Sequence, residues 1–130
     1  MAKYQVPKKN DVRKMAPKRP TDRLQKICMA LPEAEERETW EIPTYRIRGK
    51  IFALESAIDD RRAVWCKAQE GSQELLVTAD PDRFFVPPYL GHKGWVGMWL
   101  DKKVDWTEVT ELVTRSYRLI APKKLVKLLD

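Results

Sequence analysis

The sequence predicts an α+β fold, a two-layer sandwich in which an antiparallel β-sheet packs against helices. Three observations carry this expectation. Helical periodicity appears near both ends, at Leu24, Ile27, Cys28 and Leu31 and again at Val109, Leu112, Val113, Tyr117 and Ile120. Between them, the run TYRIRGKIFALES alternates its side chains with a period of two around a glycine, as a hairpin does. The length, 130 residues, fits one domain that can bury a core without disulfides or metal.

In chain order the first helix is capped by Thr21 or Asp22 and ended by Pro32. The acidic segment Glu33 to Glu41 reads as a loop. Two strands then flank Gly49 and Lys50. Tyr45, Ile47, Phe52 and Leu54 are expected on one face, and Arg46, Arg48, Ile51 and Ala53 on the other. Asp59 to Arg62 is a polar turn, and Ala63 to Ala68 a third strand with Val64 and Cys66 facing away from Trp65 and Lys67. Ser72 is expected to cap a helix carrying Leu75, Leu76 and Ala79. Asp80 and Pro81 give an N-cap and a first-turn proline, so a second short helix bearing Phe84 and Phe85 follows. Pro87 and Pro88 break it, and Trp95 to Leu100 forms a strand. Asp105 with Glu108 resembles a capping box at the head of the strongest helix, and Pro122 starts a short last one. The predicted order is α-β-β-β-α-α-β-α, with a possible final helix.

The formal net charge of +6 is unevenly spread. Residues 1–20 carry seven basic side chains and one acidic, which accounts for all of it; residues 21–130 carry 18 of each sign. The high isoelectric point thus belongs to residues 1–20, read as a basic, disordered tail, and 21–130 are expected to form the domain. The tail is either a solvated leader or an arm that attracts polyanions. No apolar run is long enough to span a membrane, and the N-terminus lacks the apolar stretch of a secretory signal, so a cytoplasmic protein is expected. Cys28 and Cys66 sit in apolar patterns without a CxxC neighbour and read as reduced core thiols.

No motif specifies a reaction. His92 is the one histidine, and no HExxH, EF-hand, phosphate-loop or GxSxG spacing occurs. No cofactor, metal site or catalytic residue is therefore assigned. The stretch PPYLGHKGWVGMWL stands out instead. Its prolines and glycines stiffen or tighten the backbone around Tyr89, His92, Lys93, Trp95 and Trp99. The helix-free sheet face is expected to hold Arg46, Arg48, Trp65 and Lys67 beside Trp95 and Trp99. Interleaved cations and rings suit single-stranded nucleic acid, and equally suit contacts within the protein or a half-covered sheet face.

The succession LPEAEE, PTYRIRGKIFA, WCKA, PPYLGHKGWVGMWLD and TRSYRLIAPKKL, covering residues 22–128, resembles the MmcQ/YjbR family. The resemblance implies a CyaY-like fold and a DNA-binding function. It implies characteristic positions at Lys50, Lys67, Tyr89, Lys93 and Trp95. Many members place an Asn and a second His near the last motif, where this chain has Gly91 and His92. The acidic run Glu33, Glu35, Glu36 and Glu38 faintly echoes the iron-binding surface of CyaY, and no metal site is transferred from it. The expectation is a non-enzymatic, monomeric nucleic-acid-binding protein using Arg46, Arg48, Lys50, Lys67, Tyr89, His92, Lys93 and Trp95. The alternative is a small-ligand or protein-binding module whose anion site is formed by Lys50, Lys67, Tyr89, His92 and Lys93.

Overall fold

A computed structural model describes residues 15–16, 21–101 and 103–130. Helix α1 (Asp22–Met29) leads into four consecutive strands, β1 (Glu35–Thr39), β2 (Ile42–Ile47), β3 (Lys50–Ile58) and β4 (Arg61–Lys67). Helix α2 (Ser72–Ala79), the two-residue strand β5 (Phe84–Phe85), a 3-10 turn (Gly91–Lys93) and β6 (Trp95–Trp99) follow. The long helix α3 (Trp106–Ile120) and the short α4 (Lys123–Val126) finish the fold. The six strands form one antiparallel sheet in the order β1-β2-β3-β4-β6-β5. The α+β class is as the sequence predicts, with two strands more than it announced.

Both additional strands have a physical reason. Strand β1 lies where a loop was expected. It is an edge strand whose side chains are nearly all exposed, so it has no apolar face to produce alternation. Its Glu–Arg–Glu content suits an edge that must resist further pairing. Strand β5 replaces the expected helix at Phe84 and Phe85. Asp80 starts only one turn, its carbonyl accepting from the N–H groups of Arg83 and Phe84. Adjacent aromatics then reach opposite sheet faces, as strand geometry allows: Phe84 joins the helix-side core and Phe85 the other layer.

The hairpins joining β1 to β4 turn on Trp40–Glu41, Arg48–Gly49 and Asp59–Asp60, every residue at positive φ. This is the turn whose twist matches paired strands. The β2–β3 turn therefore sits one residue earlier than expected, and Lys50 begins β3. A second difference follows from pairing. Tyr45 opposes Ala53 while Arg46 opposes Ile51, so Phe52 is an extra bulged residue. The bulge keeps Phe52 and Ala53 in the helix-side core and sends Leu54 to the opposite face, reversing the expected sides of Leu54 and Ala53.

The main core lies between the sheet and α1, α3 and α4. Leu24, Cys28, Tyr45, Phe52, Val64, Val96, Val113 and Tyr117 are completely or almost completely buried in it. Each such aliphatic side chain contributes about 1.5–3 kcal/mol. Tyr117 packs edge-on against Phe52 at 5.5 Å, and its hydroxyl donates to the Pro32 carbonyl at 2.7 Å. Both cysteines are free and buried, as expected. Asp105 caps α3, accepting from the N–H groups of Thr107 and Glu108. Glu108 does not reciprocate as in a capping box; it pairs with Arg83. Ser72 does not cap α2, whose N-cap position is Gly71, and Thr21 makes no side-chain cap to α1.

A second, smaller core covers the helix-free face. It contains Met15, Ile42, Leu54, Ala63, Trp65 and Trp95, with Phe85, Tyr89, Leu90 and Trp99 packed against it. Met15 belongs to the predicted tail yet is buried here, its carbonyl accepting from Ala57 N–H at 2.7 Å. The rest of that expectation, for 1–14 and 17–20, lies outside the described residues.

Candidate functional site

In this sheet β2 and β4 end where β3 and β6 begin, so one end of the sheet gathers Arg48, Lys50, Lys67 and the loop before Trp95. Lys67 closes β4 opposite Trp95. Its backbone N–H donates to Ser116 Oγ at 2.9 Å, and that buried hydroxyl donates onward to the Phe52 carbonyl at 2.7 Å. One side chain thus fastens the C-terminal part of α3 to this end of the sheet. Across the strand, the 3-10 turn Gly91–Lys93 is closed by Gly94 at φ 85°, a conformation that favours glycine. The Gln73 side-chain amide donates to the carbonyls of Gly91 and Trp95, tying the start of α2 to this loop.

These constraints form two adjoining concavities that share Lys67, Ala68 and Gln69. One, of about 580 Å³, is bordered by His92, Lys93, Gly94, Glu70 and Glu74. The other, of about 390 Å³, lies between α2 and α3 and is bordered by Leu76, Leu112, Arg115, Arg118 and Leu119. Among the described residues, Lys67, Lys93 and Arg115 make no ion pair. Arg118 is bound to Asp130 at 2.9 Å.

The other sequence candidates are placed differently. Arg46 is spent inside the sheet edge, donating to Thr44 Oγ1, Thr39 Oγ1 and the Gly49 carbonyl. Desolvation, with Arg37 nearby, moves its pKa down. Arg48 pairs with both carboxylate oxygens of Glu33, at 3.1 and 3.3 Å. Trp65 and Trp95 are buried. Trp99 is stacked on Phe85 at 4.1 Å, with the Arg61 guanidinium 3.9 Å over its ring. Arg61 is also bound to Asp101, a hydrogen bond that raises its pKa. The rings and cations of the helix-free face therefore engage one another and the protein. Tyr89 lines a separate cavity on that face with Trp65. Lys50 is exposed at the same sheet end as Lys67 but borders neither concavity.

The structure thus brings together Lys67, His92 and Lys93, and not Arg46, Arg48, Tyr89 or Trp95. It adds Arg115 and Gln73, which sequence reasoning missed. Arg115 sits on the polar side of α3, and only knowing which end of the sheet the helix crosses would single it out. Among the described residues, no group of three or more His, Cys, Asp or Glu side chains could hold one metal ion, and no helix is long and apolar enough to cross a membrane.

Comparison with known proteins agrees with this architecture. The crystal structure of Deinococcus radiodurans protein DR2400, which contains a DUF419 domain, superposes with a TM-score of 0.71 at 25% identity, over 89% of each chain. No functionally curated protein matches the sequence. The profile of the YjbR family matches residues 29–119, which is more than half of the chain. The span begins at the end of α1 and stops one residue short of the end of α3, taking in the whole sheet and both concavities. The chain belongs to the YjbR family.

Proposed function

We propose that the chain binds nucleic acid through the phosphate backbone, at the cationic end of the sheet, rather than by stacking bases on the sheet face. The observation that carries this reading is the convergence of Lys67, Lys93 and Arg115, each without an ionic partner among the described residues, on two adjoining concavities. Residues 21–130 balance 18 basic against 18 acidic side chains, so cations left unpaired are the ones free to meet phosphate. The buried tryptophans favour backbone contacts, which position a nucleic acid without reading its sequence. Residues 1–20 add a charge of +6 and would strengthen encounter with any polyanion.

The test is binding of a fluorescent DNA oligonucleotide across a salt series. The affinity should fall linearly on a double-logarithmic plot. Replacing Lys67, Lys93 and Arg115 together by Gln should weaken binding and reduce the slope by roughly two to three, about one per lost phosphate contact. An unchanged slope and affinity in this variant would refute the reading. If deletion of residues 1–14, which spares the packed Met15, abolishes binding while the triple variant does not, the basic segment acts as a generic polycation. A second reading keeps the same site but gives it a small anion. It is favoured by the defined concavity at Lys67, and it predicts saturable binding of inorganic phosphate that the triple variant loses.

A further inference from the structure

Of the two concavities at the cationic end, the one beside the 3-10 turn is bordered by acids as well as cations: Glu70 and Glu74 face it together with Lys67 and Lys93. Phosphate binding alone gives the acids no role. Glu70 lies in the connection from β4 to α2, and Glu74 in the first turn of that helix. Both are exposed, and among the described residues neither makes an ion pair, just as Lys67 and Lys93 make none. Two charges of each sign thus border one concavity without pairing with each other. The backbone beneath them is tied. Gln73, next to Glu74, donates its side-chain amide to the Gly91 carbonyl at 2.8 Å and the Trp95 carbonyl at 2.5 Å. That tie holds the acidic wall against the loop that carries Lys93.

This pattern selects a dipolar ligand. A simple anion would meet two carboxylates and a simple cation two lysines, so each would leave one pair opposed by its own sign. A molecule with an anionic group and a separate N–H donor answers both walls. The volume of about 580 Å³ lies in the range that encloses a small organic molecule, and inorganic phosphate would fill only a small part of it.

Resting on the phosphate-binding reading above, we propose that this concavity takes one unpaired nucleobase bearing an exocyclic amine, which donates to Glu70 or Glu74 while the adjoining phosphate lies on Lys67 and Lys93. Phosphate contacts position a strand without reading it, and this contact adds a base preference to them. Carboxylates accept from the cytosine amine in direct base readout. Uracil and thymine present a carbonyl oxygen at the same place, which a carboxylate repels. A base must leave its stack to enter a concavity, so the strand is single. On the other side of Lys67, Leu76 and Leu112 offer the next nucleotide an apolar wall beside Arg115.

Fluorescent oligo(dC) and oligo(dU) of equal length isolate the amine. At neutral pH and fixed salt the full-length chain should bind oligo(dC) roughly five- to tenfold more tightly, the lower range for one base-edge contact. The double variant Glu70→Ala, Glu74→Ala changes two exposed side chains and should bring the two affinities together. Carboxylates acting by charge alone would instead let both affinities rise in that variant with their ratio preserved, a result that overturns the inference. Annealing each oligonucleotide to its complement should remove the preference. A preference that persists between the oligo(dC)·oligo(dG) and oligo(dU)·oligo(dA) duplexes would overturn the insertion of an unpaired base. Equal binding of the two single strands, lost when Lys67, Lys93 and Arg115 are replaced together by Gln, would overturn the inference and leave the phosphate reading standing. Binding of neither strand would overturn both.

Discussion

Replacing Glu55 by Ala should be among the most damaging single changes in this domain. Glu55 lies on β3 with a fully buried side chain. Its carboxylate accepts from Thr21 N at 2.8 Å, Thr21 Oγ1 at 3.0 Å and Arg62 Nη1 at 2.7 Å. It thereby anchors the start of α1 to the sheet, although Thr21 makes no side-chain cap of its own. Truncation removes three hydrogen bonds and leaves a guanidinium and a backbone N–H facing a void. Removing one partner of a buried ion pair costs about 3–5 kcal/mol. The Arg62 side chain is 31% exposed and can turn towards water, so the lower end, ~3 kcal/mol, applies. With a urea m-value of roughly 1.5–2 kcal/mol per molar, the midpoint should fall by about 1.5–2 M. Glu55→Gln keeps the shape and part of the acceptor set and should cost less. The double variant Glu55→Ala, Arg62→Met should cost less than the sum of its singles, because the stranded cation is gone. A midpoint shift below about 0.5 M for Glu55→Ala would show that Arg62 and Thr21 are held by something else.

Two further outcomes follow from packing and burial. A Cβ at Gly97 would sit 2.2 Å from the Phe85 ring, so Gly97→Ala should destabilise by about 1–3 kcal/mol, and adding Phe85→Leu should recover part of the loss in the same urea assay. Burial pushes the Cys28 and Cys66 thiols far above their ordinary range, and Tyr45 likewise. The folded chain then holds protons that the unfolded chain releases, so these groups add no pH dependence at neutral pH and lower the stability as pH rises past about 8.5, the free thiol value. The loss should approach about 1.4 kcal/mol per pH unit for each thiol, and Cys66→Ala should remove about half of the slope that the two thiols produce; an equally steep loss in that variant would refute the assignment.

Much of the fold was legible because burial on one face leaves a period in the sequence. The stripes of α1 and α3 and the alternation of β4 place Leu24, Cys28, Val64, Cys66, Val113 and Tyr117 in the core where the pattern puts them. The failures are where that period is absent or interrupted. Strand β1 is exposed on both faces and leaves no alternation. Phe84 and Phe85 occupy both layers and mimic a helix start. The sites were less legible for a related reason. The motif PPYLGHKGW reads as one unit, yet Tyr89 and His92 border different cavities, because Tyr89 at φ 72° and the 3-10 turn that contains His92 redirect the chain. Chain proximity therefore predicted a shared site that the backbone divides.

The single bulge at Phe52 links these points. Without it, the hairpin alternation would continue, and Leu54 would face the helices with Ala53 opposite. With it, Phe52 and Ala53 both stay in the helix-side core, where Phe52 meets Tyr117 and its carbonyl receives Ser116. The Ser116 bridge holds the end of the sheet at which Lys67 is displayed. Beyond the bulge Leu54 opposes Trp65 on the other face, where both become walls of the apolar cavity. One inserted residue thus shapes both the cationic site, through the α3 anchor, and the apolar cavity, through the reversal of Leu54. A register change is set by pairing with the neighbouring strand, so no local pattern within β3 alone announces it.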